Sequence, residues 1–160
     1  MSGLGGPDNW FEDFKPGARF RHARGKTITE LENVLITNLV MNTADAHFNE
    51  QRMSDRPIGT SIVFGGITAS LVVGLASQDT SDNLIEDRGI ENLALRTPVV
   101  HGDTITAATE VLSAESVDDG AGVVRFHHWG LNQRGEIVAE LDRTVLIAKR
   151  SAATRKSSPR

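Results

Sequence analysis

The sequence predicts an α+β domain in which one curved antiparallel sheet wraps around a central apolar helix. The first observation behind this prediction is a stretch without charged side chains in the middle of the chain, residues 58–78, which a globular fold must cover on nearly every side. The second is the region that follows, where segments rich in β-branched residues alternate with turn signals. The third is the length of 160 residues, which suits one domain.

The chain before the central helix begins with a loose segment and a strand. Residues 1–9 are rich in glycine and contain a proline, so we expect them to be flexible. The pair Pro16–Gly17 predicts a turn, and residues 18–29 alternate like a strand. The folded domain is therefore expected to begin at about residue 10.

A first helix is predicted over residues 31–41. Thr29 and Glu32 fit a capping box, in which each side chain accepts a hydrogen bond from the backbone N–H of the other residue. The spacing of the apolar side chains favours a helix over a strand, since four of them share one helical face: Leu31, Val34, Leu35 and Leu39.

The second helix is the apolar one, expected over residues 65–77. Its uncharged surroundings nearly reach the length of a membrane span, but the strongly apolar part is short, contains glycines, and lacks flanking basic or aromatic belts. We therefore interpret it as the buried helix of a globular domain and expect no membrane association.

Four strands are predicted after this helix, and turn signals separate them. The turns are expected at His101–Gly102, at residues 118–122 and at residues 133–135. The last segment, residues 151–160, is basic and poor in apolar side chains, so we expect it to be disordered. The predicted strands are residues 90–99, 103–116, 122–132 and 136–150.

Composition excludes several functional classes. The formal net charge is −4 and the pI is about 5.7, so a nucleic-acid-binding surface is not expected. The chain has no cysteine, which excludes disulfides, thiolate metal sites and a cysteine nucleophile. The first residues lack a basic region followed by an apolar run, so a secretory signal is not expected and the cytoplasm is the predicted location.

His47 is the first candidate for chemistry, because it lies in a polar stretch, NTADAHFNEQ, directly after the first predicted helix. Its residue type permits a general base, a metal ligand beside Asp45, or a surface residue. Asp45 and His47 lack further ligands at a recognisable spacing, so no metal site is expected.

An apolar helix wrapped by a curved antiparallel sheet is the hotdog architecture, and five blocks of the sequence resemble the MaoC-like acyl-CoA hydratases. The similarity covers about residues 10–150 and is greatest to the branch that contains mesaconyl-CoA hydratase, also called β-methylmalyl-CoA dehydratase. The blocks are FEDFKPG, TITELENVLITNLVMNTADAHFN, FGGITASLVVGLASQDTSDN, TPVVHGDTITAATEVL and LNQRGEIVAELDRTVLIAKR.

The resemblance implies an enzyme that adds or removes water at the α,β double bond of an enoyl-CoA thioester. A branched C5 dicarboxylic substrate, such as mesaconyl-CoA, β-methylmalyl-CoA or itaconyl-CoA, is the expected acyl group, and a general (R)-specific enoyl-CoA hydratase is the alternative. Coenzyme A would enter as part of the substrate, with no separate cofactor. We expect at least a homodimer, because one small sheet leaves strand edges and a substrate cleft uncovered.

The resemblance also implies catalytic residues. In related (R)-specific hydratases an Asp lies five positions before the catalytic His, and here that position holds Asn42, which can orient water but cannot take its proton. His47 is therefore the expected base, and either Asp45 or Glu50 is a candidate for the missing carboxylate. In many relatives the central helix begins with His-Gly, where this chain has Phe64–Gly65.

The N-terminus of the central helix is the expected oxyanion site. The first N–H groups of a helix are unpaired and lie at the positive end of its dipole. Gly65 and Gly66 would let a thioester approach closely, and the alternative is that they only permit close packing of helix on sheet.

A dicarboxylic acyl group requires a cation, and Arg52, Arg56 and Arg96 are the candidates by position. The same arginines would equally suit the phosphates of coenzyme A or a solvated surface. Two rival classes remain: a hotdog thioesterase, which usually needs a carboxylate on or near the central helix, and a non-catalytic acyl-CoA-binding subunit.

Four further polar residues are assigned structural positions. His127 and His128 are adjacent on a predicted strand and should point to opposite faces. His101 is interpreted as a turn residue, and Asp79 as a helix cap or surface residue.

Overall fold

The computed structural model describes residues 9–151, and these form one five-stranded antiparallel sheet with helices on one side. The strand order is β1-β3-β4-β5-β2, so β1 and β2 are the two edges. The expected flexible N-terminus and disordered tail fall almost wholly on residues 1–8 and 152–160, outside the described residues. The elements are β1 (Arg19–Thr27), α1 (Glu30–Leu39), α2 (Glu50–Ser54), α3 (Gly65–Thr80), β2 (Leu84–Leu95), β3 (Thr104–Ser116), β4 (Ala121–Leu131) and β5 (Ile137–Ala148).

The core lies between the sheet and α3. In β4 and β5 every second side chain is buried, as expected for strands with one face against a core. Phe126 and Phe14 pack edge to face with their ring centroids 5.0 Å apart at one end of the sheet. At the other end, Ile67 of α3 packs with Ile105 and Val138 of the sheet.

The predicted central helix is present, although the sheet covers only one of its sides. Val72 and Ala76 of α3 are fully buried against the sheet. Ser70, Gly74 and Gln78 on the opposite side are exposed, which differs from the expected wrapping on nearly every side. None of the helices in the range 9–151 is long and apolar enough to cross a membrane.

Helix α1 begins with the predicted capping box, since the Thr29 hydroxyl accepts from the Glu32 N–H and the Glu32 carboxylate accepts from the Thr29 N–H. Its predicted apolar face, however, points outward, with Leu31 74% and Leu39 73% exposed. The buried face carries Asn33 and Thr37 instead. Helical spacing identifies the faces of a helix but not which one meets the rest of the domain.

Strand β2 begins at Leu84, six residues earlier than predicted. Its first half contains Glu86, Asp87 and Arg88, which lie before the predicted strand. They are tolerated because β2 is an exposed edge strand, where charged side chains remain in water. The predicted turns are confirmed, with positive φ angles at Gly102 and Gly135.

The interpretation of Asp79 as a cap or surface residue is wrong. Asp79 is 6% exposed and accepts a hydrogen bond from His22 Nδ1 over 2.5 Å. His22 Nε2 then lies 2.6 Å from the hydroxyl of Thr109, and that hydroxyl lies 2.7 Å from Nδ1 of His128. The last turn of α3 is thus tied to three strands by a buried polar chain. His127 points to the other face, as predicted, and contacts Asp142.

Candidate active site

A cavity of about 400 Å³ opens at the N-terminus of α3. The segment before α3, the first turn of α3 and the chain after β2 form its walls. Four of the residues predicted for the site line it: His47, Gly65, Gly66 and Arg96. The other lining residues are Ile62, Val63, Phe64, Thr68, Leu95, Thr97, Pro98, Val99 and Val138.

His47 ends a single 3-10 turn, Asp45–His47, that lies against the segment leading into α3. The backbone N–H of Ile62 donates to the carbonyl of Ala46 over 2.9 Å, and the carbonyl of Ile62 lies 2.9 Å from Nδ1 of His47. Because a carbonyl only accepts, Nδ1 carries the proton and Nε2 carries the lone pair in the neutral ring. His47 is 9% exposed, and Phe64 packs edge-on against its ring. The ring is therefore held in place, and its free lone pair is on Nε2.

Asn33 fixes this arrangement from the buried face of α1. Its side-chain N–H₂ group donates to the carbonyl of His47 over 3.2 Å, and its carbonyl oxygen accepts from the N–H of Phe64 over 3.0 Å. It is fully buried. One amide therefore joins the loop of His47 to the start of α3. Sequence reasoning missed Asn33; the available signal was a polar residue opposite the apolar face of a helix.

No acidic side chain of the first turn of α3 binds the N–H groups at its N-terminus. Phe64 occupies the N-cap position and makes no side-chain cap, and the turn contains no acidic residue. A Cβ added to Gly65 would lie 2.2 Å from a methyl carbon of Leu95, and one added to Gly66 would lie 2.4 Å from the Phe64 ring. Both glycines are therefore sites of close packing and also leave the N–H groups accessible from the cavity.

Three predicted site residues do not reach this cavity. The Asn42 side chain accepts the N–H of Ala44 over 3.0 Å and closes a local turn. Arg52 forms an ion pair with Asp45 that is largely exposed. Arg56 lies exposed in the turn after α2. Sequence proximity to His47 suggested these residues, whereas the turn from Asp45 to His47 directs only the histidine inward.

Arg96 is the one predicted arginine in the lining. Its backbone N–H donates to the carbonyl of Val138, and its guanidinium donates to the carboxylate of Glu140 on β5, with Nε 2.9 Å from Oε1. The side chain of Arg96 is 57% exposed, so it lies at the mouth of the cavity. It offers positive charge to a ligand that enters there.

Glu50 does not line the cavity either. Its carboxylate accepts hydrogen bonds from Ser61 and Thr60 and contacts His101 Nε2 at 3.1 Å. The hydroxyl and backbone N–H of Ser61, followed by His101 and Thr60, lower the pKa of Glu50 to about 2. Glu50 is thus an ionised structural acceptor at neutral pH, and His101 does more than form a turn.

The cavity lining contains no carboxylate. Hydroxyl groups that sequence reasoning missed are present instead: Thr68, which is 3% exposed in the first turn of α3, and Thr97 after β2. Across residues 9–151, no cluster of three His, Asp or Glu side chains is arranged to hold a metal ion. The site therefore offers one imidazole base, two hydroxyls, backbone donors and one arginine.

Comparison with known proteins places this geometry in a family. A sequence profile of mesaconyl-CoA hydratase matches residues 9–149. The chain belongs to the mesaconyl-CoA hydratase family. Among curated members similar to it, the β-methylmalyl-CoA dehydratase of Chloroflexus aurantiacus is 34% identical over 156 residues, which cover 94% of this chain and 43% of that protein.

Solved structures agree with the family and its hotdog fold. A MaoC-domain protein from Chloroflexus aurantiacus superimposes with a TM-score of 0.82 and 27% identity, over 91% of this chain and 46% of the other. A monoamine oxidase regulatory protein from Archaeoglobus gives a TM-score of 0.78 and 26% identity, over 91% and 98% of the two chains. This member of the mesaconyl-CoA hydratase family spans less than half the length of the curated relatives it matches.

Proposed function

We propose that this protein is a hydro-lyase that adds water to, or removes it from, the α,β double bond of an enoyl-CoA thioester. The observation that carries the proposal is the shared cavity of His47 and the uncapped N-terminus of α3. Hydration needs a base for water and donors for an enolate oxygen, and this cavity offers both. Family membership supports the same reaction.

In the proposed mechanism His47 and the helix N-terminus act on the two ends of the conjugated system. Nε2 of His47 takes a proton from water while the water oxygen bonds to the β-carbon. The electron pair of the double bond moves onto the thioester oxygen, which accepts from the N–H groups of Gly65 and Gly66. The imidazolium of His47 then protonates the α-carbon, so that H and OH are both added.

We assign both proton transfers to His47, because the lining has no carboxylate to share them. Thr68 and Thr97 are the hydroxyls that would orient the attacking water. Asn42, Asp45 and Glu50 have no direct role in this scheme. The same lack of a carboxylate argues against a thioesterase, which activates water for attack on the carbonyl carbon.

For the acyl group we propose a branched C5 dicarboxylate such as mesaconyl-CoA. Curated relatives carry the names mesaconyl-CoA hydratase and β-methylmalyl-CoA dehydratase. Arg96 is the cation at the cavity mouth that would pair with the free carboxylate. Coenzyme A is bound as part of the substrate. A cytoplasmic location and an assembly of at least two copies belong to the same proposal.

The test is an activity screen on mesaconyl-CoA, itaconyl-CoA and crotonyl-CoA that records two signals. Loss of absorbance of the enoyl thioester reports hydration, and release of free thiol reports thioesterase activity. We expect hydration without thiol release. Thiol release would identify a thioesterase, neither signal would favour a binding subunit, and a preference for crotonyl-CoA would favour a general enoyl-CoA hydratase.

The proposed base is tested by the substitution His47→Ala. We expect kcat to fall by about 100-fold or more with little change in folding, since a positioned acid–base group typically supplies ~10²–10⁴. His127→Ala is the matched control, because His127 lies on the outer face of the sheet and contacts Asp142. Near-normal turnover in His47→Ala would show that His47 is not the base.

A further inference from the structure

The orientation of His47 depends on the position of one backbone carbonyl. The proton on Nδ1 is donated to the carbonyl of Ile62, and this bond decides which nitrogen keeps the lone pair. Ile62 is also paired with Ala46 through its N–H. A shift of Ile62 would therefore tilt the ring or exchange its tautomer.

The residue before Ile62 is held by a carboxylate. The backbone N–H of Ser61 donates to both oxygens of Glu50, over 3.1 and 3.2 Å, and the Ser61 hydroxyl donates to the same carboxylate. Ser61 is 2% exposed, so the donors of these bonds are buried, whereas the accepting carboxylate of Glu50 is half exposed. His101 adds a donor from the turn before β3, with Nε2 3.1 Å from Glu50 Oε1. These contacts hold residue 50 next to residue 61, so the segment between them forms a closed loop.

Glu50 reaches this cluster from the first turn of α2, directly after the loop of His47. The carboxylate therefore joins the end of the His47 loop to Ser61, in the segment before α3. Its side chain is 49% exposed and does not line the cavity, so it does not touch the substrate there. Its role must act through other residues.

We propose that Glu50 is a positioning residue that aims the His47 ring through Ser61 and Ile62. The inference rests on the proposed function, because it explains how the base is oriented in place of a carboxylate partner. In this proposal Ser61 and His101 also contribute to catalysis, because their contacts keep Glu50 in place while the substrate binds.

The experiment uses Glu50→Gln, which preserves shape but replaces one accepting oxygen by a donating N–H₂ group that faces other donors. We expect kcat to fall roughly 10- to 100-fold with little change in KM, because a misplacement of about 1 Å costs up to about 10² in rate. Glu136→Gln is the matched control: that carboxylate also accepts from Asn132 and Arg134, but in the turn between β4 and β5.

A second measurement reads the ring directly. In ¹⁵N-labelled protein, the ring nitrogens of His47, assigned with the His47→Ala variant, should show a proton on Nδ1. Glu50→Gln should move both nitrogen signals toward a mixture of tautomers, and Glu136→Gln should leave them unchanged. If Glu50→Gln does not fold, Ser61→Ala removes one donor, keeps the backbone N–H bond, and should shift the signals in the same direction.

The outcomes are distinguishable. In a His47→Ala background, Glu50→Gln should lower the residual kcat little, because there is no ring left to aim. Fully additive losses, or unchanged tautomer signals in both variants, would overturn the proposal. Wild-type protein without hydratase activity would refute the proposed function instead, and the nitrogen signals alone would then decide whether Glu50 aims His47.

Discussion

His47 is oriented by backbone and amide groups rather than by a charged partner. The carbonyl of Ile62 accepts from its ring, and the side chain of Asn33 donates to its backbone carbonyl. Neutral partners of this kind fix the ring without adding a negative charge beside it. This leaves the cavity free of carboxylates, which suits the negatively charged substrate that we propose.

Arg96 is the residue through which acyl specificity can be measured. If it pairs with the free carboxylate of mesaconyl-CoA, Arg96→Met should lower kcat/KM for mesaconyl-CoA relative to crotonyl-CoA by about 10-fold or more, equivalent to about 1.4 kcal/mol. Glu140 would lose its partner in the same variant, whichever substrate is bound. The ratio of the two kcat/KM values cancels that shared effect.

Two other arginines provide the comparison. Arg52→Met and Arg56→Met should leave the substrate ratio unchanged, because neither side chain lines the cavity. An equal drop for both substrates in Arg96→Met would assign Arg96 to coenzyme A. Because an equal drop leaves the ratio unchanged, it would also refute the pairing of Arg96 with the free carboxylate of mesaconyl-CoA. A wild-type preference for crotonyl-CoA would leave only a general hydratase.

The two ends of α3 differ in the way they are anchored. Its N-terminus is open to the cavity, whereas its last turn is tied by Asp79 to His22, Thr109 and His128. The Asp79 oxygen accepts from Nδ1 of His22, so Nε2 of His22 accepts from the Thr109 hydroxyl, which accepts from Nδ1 of His128. This order holds when both histidines are neutral. A proton added to His22 would place a donor at Nε2 opposite the Thr109 hydroxyl proton, and a proton added to His128 would place a buried N–H at Nε2, which has no hydrogen-bond partner within residues 9–151.

This chain of hydrogen bonds predicts loss of stability in acid. Burial, followed by the charges of His22 and Arg143, lowers the pKa of His128 to about 3, and burial also lowers the pKa of His22. The unfolded state therefore binds more protons between about pH 6.5 and pH 3, so the free energy of unfolding should fall as pH falls through that range. The slope is at most about 1.4 kcal/mol per pH unit for each histidine.

The substitution His128→Asn tests this prediction, because the asparagine N–H₂ group can replace the Nδ1 donor but does not titrate. Urea unfolding at several pH values should give a less stable variant at pH 7 with a shallower dependence on pH. The same dependence in variant and wild type would contradict the role of His128. Titrating groups distant from His128 contribute equally to both proteins, so the difference reports His128 together with its coupled neighbour His22.

At the scale of the whole domain, residues 9–151 leave apolar side chains exposed on an edge strand and around a groove. Edge strand β2 presents Ile85, Ile90, Leu93 and Leu95, each about half exposed, beside unpaired backbone groups. A second cavity of about 680 Å³ opens between α1, β1 and α3. Exposed apolar edges and grooves of this kind are usually covered by another subunit or domain.

We therefore expect at least a homodimer in which β2 takes part. Sedimentation should show a species heavier than the 17.3 kDa monomer at micromolar concentration, and activity should fall on dilution if the dimer dissociates. Leu93→Lys should weaken the assembly, because it places a charge among the exposed apolar side chains at the end of β2. Val117→Lys, in the exposed turn between β3 and β4, is the control. A wild-type monomer alone would contradict this prediction.

Local signals in the sequence determined most of the elements and one part of the site. The capping box of Thr29 and Glu32 located α1, the uncharged run located α3, and glycine turns separated the last strands. These signals act within a few residues and so can be read along the chain. The structure places His47 and the two glycines of α3 in one cavity, and their catalytic roles stay predictions.

Only the tertiary structure decided which faces and partners those elements meet. Asn33 was hidden opposite an apolar helical face, and Asp79 and His22 are joined although 57 residues separate them. The cavity admits Arg96 and excludes Arg52, since β2 ends beside the start of α3 while Arg52 turns outward to Asp45. Burial and hydrogen bonding between distant segments depend on how the elements pack, and no pattern within one segment contains that information.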